Sequence, residues 1–188
     1  MIQSGNVLAL ADHTIFYKES PNVHVIIPYS DFKKLNNILA TFFNEGLKRN
    51  QLCAYCSVDI SGDSANDLFS RITDYEKNVS DENLLVVDFR PFVPYLLRQD
   101  LKPLEELKKT ILINLLKRKD KHVRLHGDLV SFLFENNHFD EALLLEEWWQ
   151  NDSFEGTKIC PYRNTSLEQS SVEKKEKIVN SHDKIVLC

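Results

Sequence analysis

The chain has 188 residues, 43% of them hydrophobic, with a net charge of −5 at pH 7 and four cysteines. This size suits one domain with its own core, and the mild acidity argues against a nucleic-acid-coating protein, which would carry a basic surface. No apolar run reaches the roughly 20 residues of a membrane span, and residues 7–11 lack the preceding basic residues of a signal peptide. We therefore expect a cytoplasmic domain with reduced cysteines and without nucleic-acid or membrane partners.

Strands and helices are predicted to alternate along the chain, since short β-branched and aromatic runs are interleaved with apolar residues of helical period. In chain order the predicted elements are strands at 13–17 and 23–28, a helix at 32–49, a strand at 52–58, a helix at 65–77, a strand at 84–89, a helix at 101–118, a strand at 123–125, helices at 129–134 and 140–149, and strands at 157–161 and 185–187. Residues 1–12 are predicted to be a loose lead-in and residues 13–188 one domain, with 163–180 a polar loop or exposed helix.

This alternation predicts a three-layer α/β fold, with a mostly parallel sheet and helices on both faces. Residues 84–89 are apolar on both faces, as in a central parallel strand. The chain has only five glycines and none is adjacent to another, so neither GxxxxGK[ST] nor GxGxxG occurs. The sequence thus predicts a nucleotide-binding type of fold without its phosphate-binding loop.

Six segments, in their order and spacing, resemble the MEDS domains, which are sensory domains of methanogen and methylotroph signalling proteins. They are HVIIPY at 24–29, FFNEGLKRNQLCAY at 42–55, VRLHGD at 123–128, ALLLEEW at 142–148, TKICPY at 157–162 and SHDKIV at 181–186. The second segment also resembles the core of KaiC and RecA ATPases, and MEDS domains look like relatives of that core that have lost the phosphate loop. The resemblance covers about residues 12–188.

The resemblance implies a degenerate RecA-like domain of prokaryotic signal transduction that senses a small ligand, with simple hydrocarbon derivatives as the ligands proposed for the family. It implies no turnover, and no cofactor is expected. The positions that match the family's recurring residues are candidate ligand contacts; they are His24, Tyr29, Cys160, Tyr162 and His182. A lone histidine is more often a structural hydrogen-bonding residue than a ligand contact. No metal ligand is assigned, although convergence of His24 and His182 with Cys56 or Cys160 would create a soft-metal site.

Two further candidates come from strand ends. Asp88 closes the strongest strand, and ligands bind outside the carboxyl ends of strands in open α/β sheets. Its alternative role is to cap the following turn through Arg90. Cys56 lies near the end of another strand, where its odd separation from Cys53 puts the two thiols on opposite faces. Packing of both cysteines in the core is the alternative to a reactive Cys56 thiol.

Three polar residues share one face of the predicted strand at 123–125 and its flanks: His122, Arg124 and His126. A buried parallel strand is apolar on both faces, so this polar face indicates either an edge strand or a pocket. In a pocket, Arg124 would anchor an anion or a carbonyl group through its planar fork of donors.

Two other functions compete with ligand sensing. One is a degenerate ATPase or small hydrolase that uses Asp88, His126 and Arg124, which requires these groups to approach one point. The other is an interaction scaffold, because Trp148 and Trp149 cannot both face the core and an exposed tryptophan favours a homo-oligomer or a signalling partner. The alternative is that residues 163–180 cover that tryptophan. The sequence contains no GxSxG, HExxH or P-loop motif, which favours binding over catalysis.

Overall fold

The computed structural model describes residues 7–8, 22–151 and 155–188, which fold around a seven-stranded sheet. The strands are β1 (Val7–Leu8), β2 (Val23–Tyr29), β3 (Leu52–Ser57), β4 (Leu84–Asp88), β5 (Val123–Gly127), β6 (Gly156–Arg163) and β7 (Lys184–Val186). Their order across the sheet is β1-β7-β2-β6-β5-β3-β4, and each of these neighbouring pairs is parallel. The expected RecA-like α/β fold is confirmed.

Nine helices are present in the described ranges. They are α1 (Phe32–Lys48), α2 (Asp63–Ser70), α3 (Tyr75–Ser80), α4 (Val93–Leu96), α5 (Lys102–Leu116), α6 (Leu129–Glu135), α7 (Phe139–Gln150), α8 (Asn164–Gln169) and α9 (Val172–Asn180), with a 3-10 turn at Arg90–Phe92. None of these helices has both the length and the apolar character that a bilayer-spanning segment requires.

The core forms two apolar layers, one on each face of the sheet. Alternate residues of β2 divide between them: Val25 and Ile27 pack in the first layer with side chains of α1 and α2, and Ile26 packs in the second with side chains of α5, α6 and α7. This division follows from the two-residue period of a strand. The sheet is therefore covered by helices on both faces, as the alternating pattern predicts.

Three parts of the chain need to be compared with their predicted structure: residues 65–77, residues 163–180 and the N-terminal region. The predicted helix at 65–77 is two helices: α2 ends at Ser70, and Asp74, which precedes α3, has a left-handed φ of 50° that a continuous right-handed helix does not contain. The segment 163–180 forms α8 and α9, and each buries one apolar side chain, Leu167 and Ile178. The predicted strand at 13–17 lies outside the described residues, and Val7–Leu8, within the predicted lead-in, pairs with β7.

The two adjacent tryptophans face different surroundings. Trp149 is buried in the second layer. Trp148 is half-buried against α5, where its indole N–H donates to Glu105 and the ammonium of Lys108 lies 5.7 Å from its ring. The cover of Trp148 thus includes α5.

Candidate functional site

A cleft of about 200 Å³ opens at the carboxyl edge of the sheet. Its polar lining includes residues at or just after the ends of β2, β3, β5 and β6, among them Tyr29, Tyr55, Ser57, His126, Asp128 and Arg163. Its apolar wall comes largely from α1 and α6, through Phe32, Leu35, Leu39 and Phe132. Parallel strands end at one edge of their sheet, and this edge is where open α/β proteins bind ligands.

His126 and Tyr55 form a flat wall of the cleft. They are directly paired residues of β5 and β3, and their rings stack with centroids 4.7 Å apart and planes 9° apart. Burial lowers the pKa of His126 to about 3, so the imidazole is neutral near pH 7. Its buried Nδ1 atom has no hydrogen-bond partner among the residues described. The imidazole is therefore a neutral group in this wall.

Asp128 follows β5 directly and lies beside this wall. Its carboxylate accepts hydrogen bonds from the Ser57 hydroxyl and, at 2.9 Å, from the Val58 backbone N–H. Burial raises the pKa of Asp128 to about 6, although both hydrogen bonds oppose the rise. Sequence reasoning missed Asp128 as a site residue; the available signal was an acid placed directly after a strand.

The connection from β2 to α1 is short and contains no glycine. It consists of Ser30 and Asp31, and the Asp31 side chain caps α1 by accepting from the Lys33 backbone N–H at 2.8 Å. Phosphate-binding loops present such N-terminal amides to the anion. In this chain a carboxylate occupies that position. Tyr29, the last residue of β2, lines the cleft, and burial raises its pKa to about 12.

Asp88 is not among the lining residues of the cleft. Its carboxylate accepts from the Arg90 backbone N–H at 2.9 Å and from the Arg90 guanidinium at 2.7 and 3.0 Å. These contacts correspond to the turn-capping alternative. Asp88 contacts Arg90 because β4 is an edge strand whose end turns directly into the 3-10 segment.

Arg124 lies in the interior because β5 is a central strand, paired with β3 on one side and β6 on the other. The edge-strand interpretation is therefore wrong. The guanidinium donates to the Phe42 carbonyl at 2.9 Å and to the Gln51 side-chain oxygen at 2.7 Å. Arg124, His126 and Asp88 thus contact different groups, and the three-residue catalytic arrangement is not assembled.

The two strand cysteines pack on opposite faces of β3, as their spacing predicts. Cys53 lies in the first layer and Cys56 in the second, and neither is accessible to solvent. Burial raises the pKa of the Cys53 thiol to about 12 and that of the Cys56 thiol further still. Cys56 is thus a core residue, not a lining residue of the cleft.

Four other side chains converge in the interior, and none of them lines the cleft. We call this group the buried cluster; it consists of His24 of β2, Glu146 of α7, Cys160 of β6 and His182, which precedes β7. One donor atom from each lies within 4.8 Å of the others. His24 and His182 therefore converge with Cys160 and not with Cys56.

The contacts of the buried cluster are close. The His24 Nε2 atom lies 3.2 Å from the Cys160 sulfur and 3.2 Å from Glu146 Oε2. The His182 Nε2 atom lies 3.4 Å from Glu146 Oε1, which also accepts a 2.6 Å hydrogen bond from the Tyr162 hydroxyl. All five side chains are buried, with relative exposures between 0% and 6%.

Glu146 is the residue of this cluster that sequence reasoning did not select. The sequence feature that could have identified it is an acidic residue in helical register with the buried Ala142 and Trp149 of α7. Burial raises the pKa of Glu146 to about 8, despite hydrogen bonds from Tyr162 and Cys160. Burial also lowers the pKa of His182 to about 4 and that of His24 well below its usual value, so both imidazoles are neutral near pH 7.

Neither the known family models, nor the curated proteins, nor the solved structures include a match to this chain.

Proposed function

We propose that the chain is a non-catalytic domain that binds a small ligand in the cleft at the carboxyl edge of its sheet. The observation that carries the proposal is the combination, in one concave site, of an apolar wall and a neutral imidazole whose Nδ1 atom has no partner in the described parts of the chain. Such sites fix a ligand by apolar contact and orient it through a few polar groups.

The lining favours a small molecule with one polar end. Phe32, Leu35 and Leu39 form an apolar side, whereas Ser57, His126 and Asp128 form the polar end. A simple hydrocarbon derivative, the ligand class that the MEDS resemblance implies, matches this division. Sensing of such a compound in prokaryotic signalling is accordingly the form of the proposal that we favour.

Two contacts support binding without turnover. The Ser57 hydroxyl donates to the Asp128 carboxylate and not to an imidazole, so it does not form the serine–histidine pair that activates many serine nucleophiles. At the start of α1, the Lys33 N–H, an amide of the kind that phosphate-binding loops present to the anion, already donates to the Asp31 carboxylate. Together these contacts favour a ligand-binding domain over an ATPase or a hydrolase.

The structural effect of ligand binding would reach a partner through the α6–α7 hairpin. Ser131 and Phe132 of α6 line the cleft, and α7 follows after the tight turn at Asn137, whose φ is 65°. A ligand that binds one arrangement of α6 more tightly shifts the hairpin towards that arrangement. A kinase, a DNA-binding domain or a second copy of the chain would then detect the shift.

The test is an NMR titration of the isotope-labelled chain with short alcohols, methylated amines and chlorinated methanes, and separately with MgATP. We expect shifts in the amides of residues 57–59 and 126–132 with at least one of the small compounds. Phe32→Ala should weaken this binding about 10-fold, which corresponds to about 1.4 kcal/mol of lost apolar contact.

The matched control is Tyr95→Ala. Tyr95 lies outside the cleft, is 42% exposed against 40% for Phe32, and likewise has an arginine over its ring. The control should bind as the unaltered chain does. Hydrolysis of MgATP, or an absence of cleft shifts with every small compound, would contradict the proposal.

A further inference from the structure

We propose that the buried cluster binds one divalent transition-metal ion of the zinc class. Its nitrogen, sulfur and carboxylate donors are those that Zn²⁺ uses in proteins. The inference does not rest on the cleft, because none of the four donor residues lines it.

Three of the four donors have nearly the spacing of a tetrahedral ion, and all four lie within 4.8 Å of one another. Zinc–ligand bonds of ~2.0–2.3 Å imply neighbouring donors ~3.3–3.8 Å apart. Around His24 Nε2 the observed separations are 3.2 Å to the Cys160 sulfur and 3.2 Å to Glu146 Oε2, and the sulfur lies 3.9 Å from the same oxygen. Small shifts of side chains suffice to place an ion among these atoms.

The backbone fixes which imidazole nitrogens face the centre of the cluster. His24 Nδ1 lies 3.1 Å from the Ser181 carbonyl, and His182 Nδ1 lies 2.8 Å from the Ile178 carbonyl. A carbonyl only accepts, so each Nδ1 carries the proton and each neutral ring directs the lone pair of Nε2 towards the cluster. Metal-binding histidines are oriented by this kind of outer hydrogen bond.

This arrangement brings two imidazole nitrogens, a thiol and a carboxyl group to one buried point. The Nε2 atom of His182 is buried, has no hydrogen-bond partner among the described residues and lies near a carboxylate oxygen. A divalent cation satisfies all four donors, and its charge balances one thiolate and one carboxylate.

Tyr162 prepares the carboxylate for a single metal contact. Its hydroxyl donates to Glu146 Oε1 at 2.6 Å, whereas Oε2 is the oxygen beside His24 and the Cys160 sulfur. Tyr162 is thus a positioning residue, and Oε2 remains available to the ion. With four protein ligands and no exposure, the site is of the closed, structural kind.

Such an ion would connect four parts of the fold: β2, α7, β6 and the segment that precedes β7. It would therefore stabilise the folded chain, because the donors separate on unfolding. It would also hold the C-terminal end of the α6–α7 hairpin against the sheet.

The experiment starts with the full chain, purified under reducing conditions, stripped with a chelator and titrated with Zn²⁺ or Co²⁺ near neutral pH. We expect one ion per chain by native mass spectrometry and a higher melting temperature with Zn²⁺. The Co²⁺ form should show intense visible bands of tetrahedral cobalt and a near-ultraviolet thiolate charge-transfer band. No uptake of either ion by the folded chain, or a cobalt spectrum without the thiolate band, would overturn the proposal.

Variants assign the ligands, and two matched controls exist. Cys160→Ala and His182→Gln should weaken Zn²⁺ binding by more than the roughly 10–100-fold that an outer-shell change causes. Cys56→Ala and His126→Gln remove an equally buried thiol and imidazole elsewhere and should leave the affinity unchanged. Tyr162→Phe should retain the thiolate band with an affinity lowered about 10–100-fold. Unchanged affinity in a folded Cys160→Ala chain would refute the assignment, and the cobalt spectrum of the unaltered chain decides the matter if the variants do not fold.

Discussion

Gly46 of α1 lies directly against the side chain of Arg124 from β5. A Cβ atom at position 46 would be 2.5 Å from Arg124 Cδ and 2.8 Å from the Cys53 sulfur. This close approach lets the guanidinium pass beneath the helix to the Phe42 carbonyl. The glycine is therefore a packing requirement for a buried cation, not a feature of a phosphate-binding loop.

Gly46→Ala should destabilise the chain by about 1–3 kcal/mol, the usual cost of forcing extra atoms into a packed core. The expected loss of stability is a net value, so the steric cost has to outweigh the roughly 1 kcal/mol by which alanine is favoured over glycine within a helix. Urea unfolding followed by circular dichroism measures it. The control is Gly127→Ala, because a Cβ there has its nearest neighbour at 3.8 Å. Equal stability of the two variants would contradict the packing argument.

Arg124→Lys should also destabilise the chain, by about 2 kcal/mol, because a lysine ammonium cannot reproduce both hydrogen bonds of the planar fork. The affected partners are the Phe42 carbonyl and the Gln51 amide oxygen. Arg90→Lys is the comparison, since Arg90 forms an exposed pair with Asp88 and little change is expected. A stability loss as large in the Arg90 variant would show that the buried position of Arg124 has no special role.

The sequence predicted what depends on local periodicity. The opposite faces of Cys53 and Cys56, the apolar stripes of the helices and the alternation that specifies the RecA-like class all follow from neighbours in the chain. Strand order does not, which is why Arg124 was assigned to an edge or a pocket although β5 is central. Glu146 was not selected because its partners come from β2, β6 and the segment before β7, and only the folded sheet brings these together.

Asp31→Ala should cost about 1 kcal/mol in the free energy of unfolding, since it removes the N-cap of α1. Asp31→Ser should retain nearly all of the stability, because a serine hydroxyl also accepts from the Lys33 N–H. Thermal and urea unfolding of both variants check this. If the serine variant were as unstable as the alanine variant, the Asp31 charge and not its hydrogen bond would be the stabilising feature.

His126 should make the chain sensitive to acid. Its folded-state pKa is about 3, whereas an unfolded histidine titrates near 6.5, and the carbonyl of Cys56, the ring of Tyr55 and the carboxyl of Asp128 are its polar neighbours. Above pH 6.5 both states are neutral and the group has no effect. As the pH falls from 6.5 towards 3, only the unfolded state takes up the proton, so the free energy of unfolding falls by up to about 1.4 kcal/mol per pH unit.

The His126→Gln variant isolates this contribution, because other titrating groups are common to both proteins. We expect the free energy of unfolding of the unaltered chain to fall more steeply between pH 6.5 and 4 than that of the variant, with parallel curves above pH 7. Urea unfolding at closely spaced pH values measures both slopes. Equal slopes would mean that the folded imidazole accepts its proton as readily as the unfolded one, which is incompatible with a neutral ring buried against Tyr55.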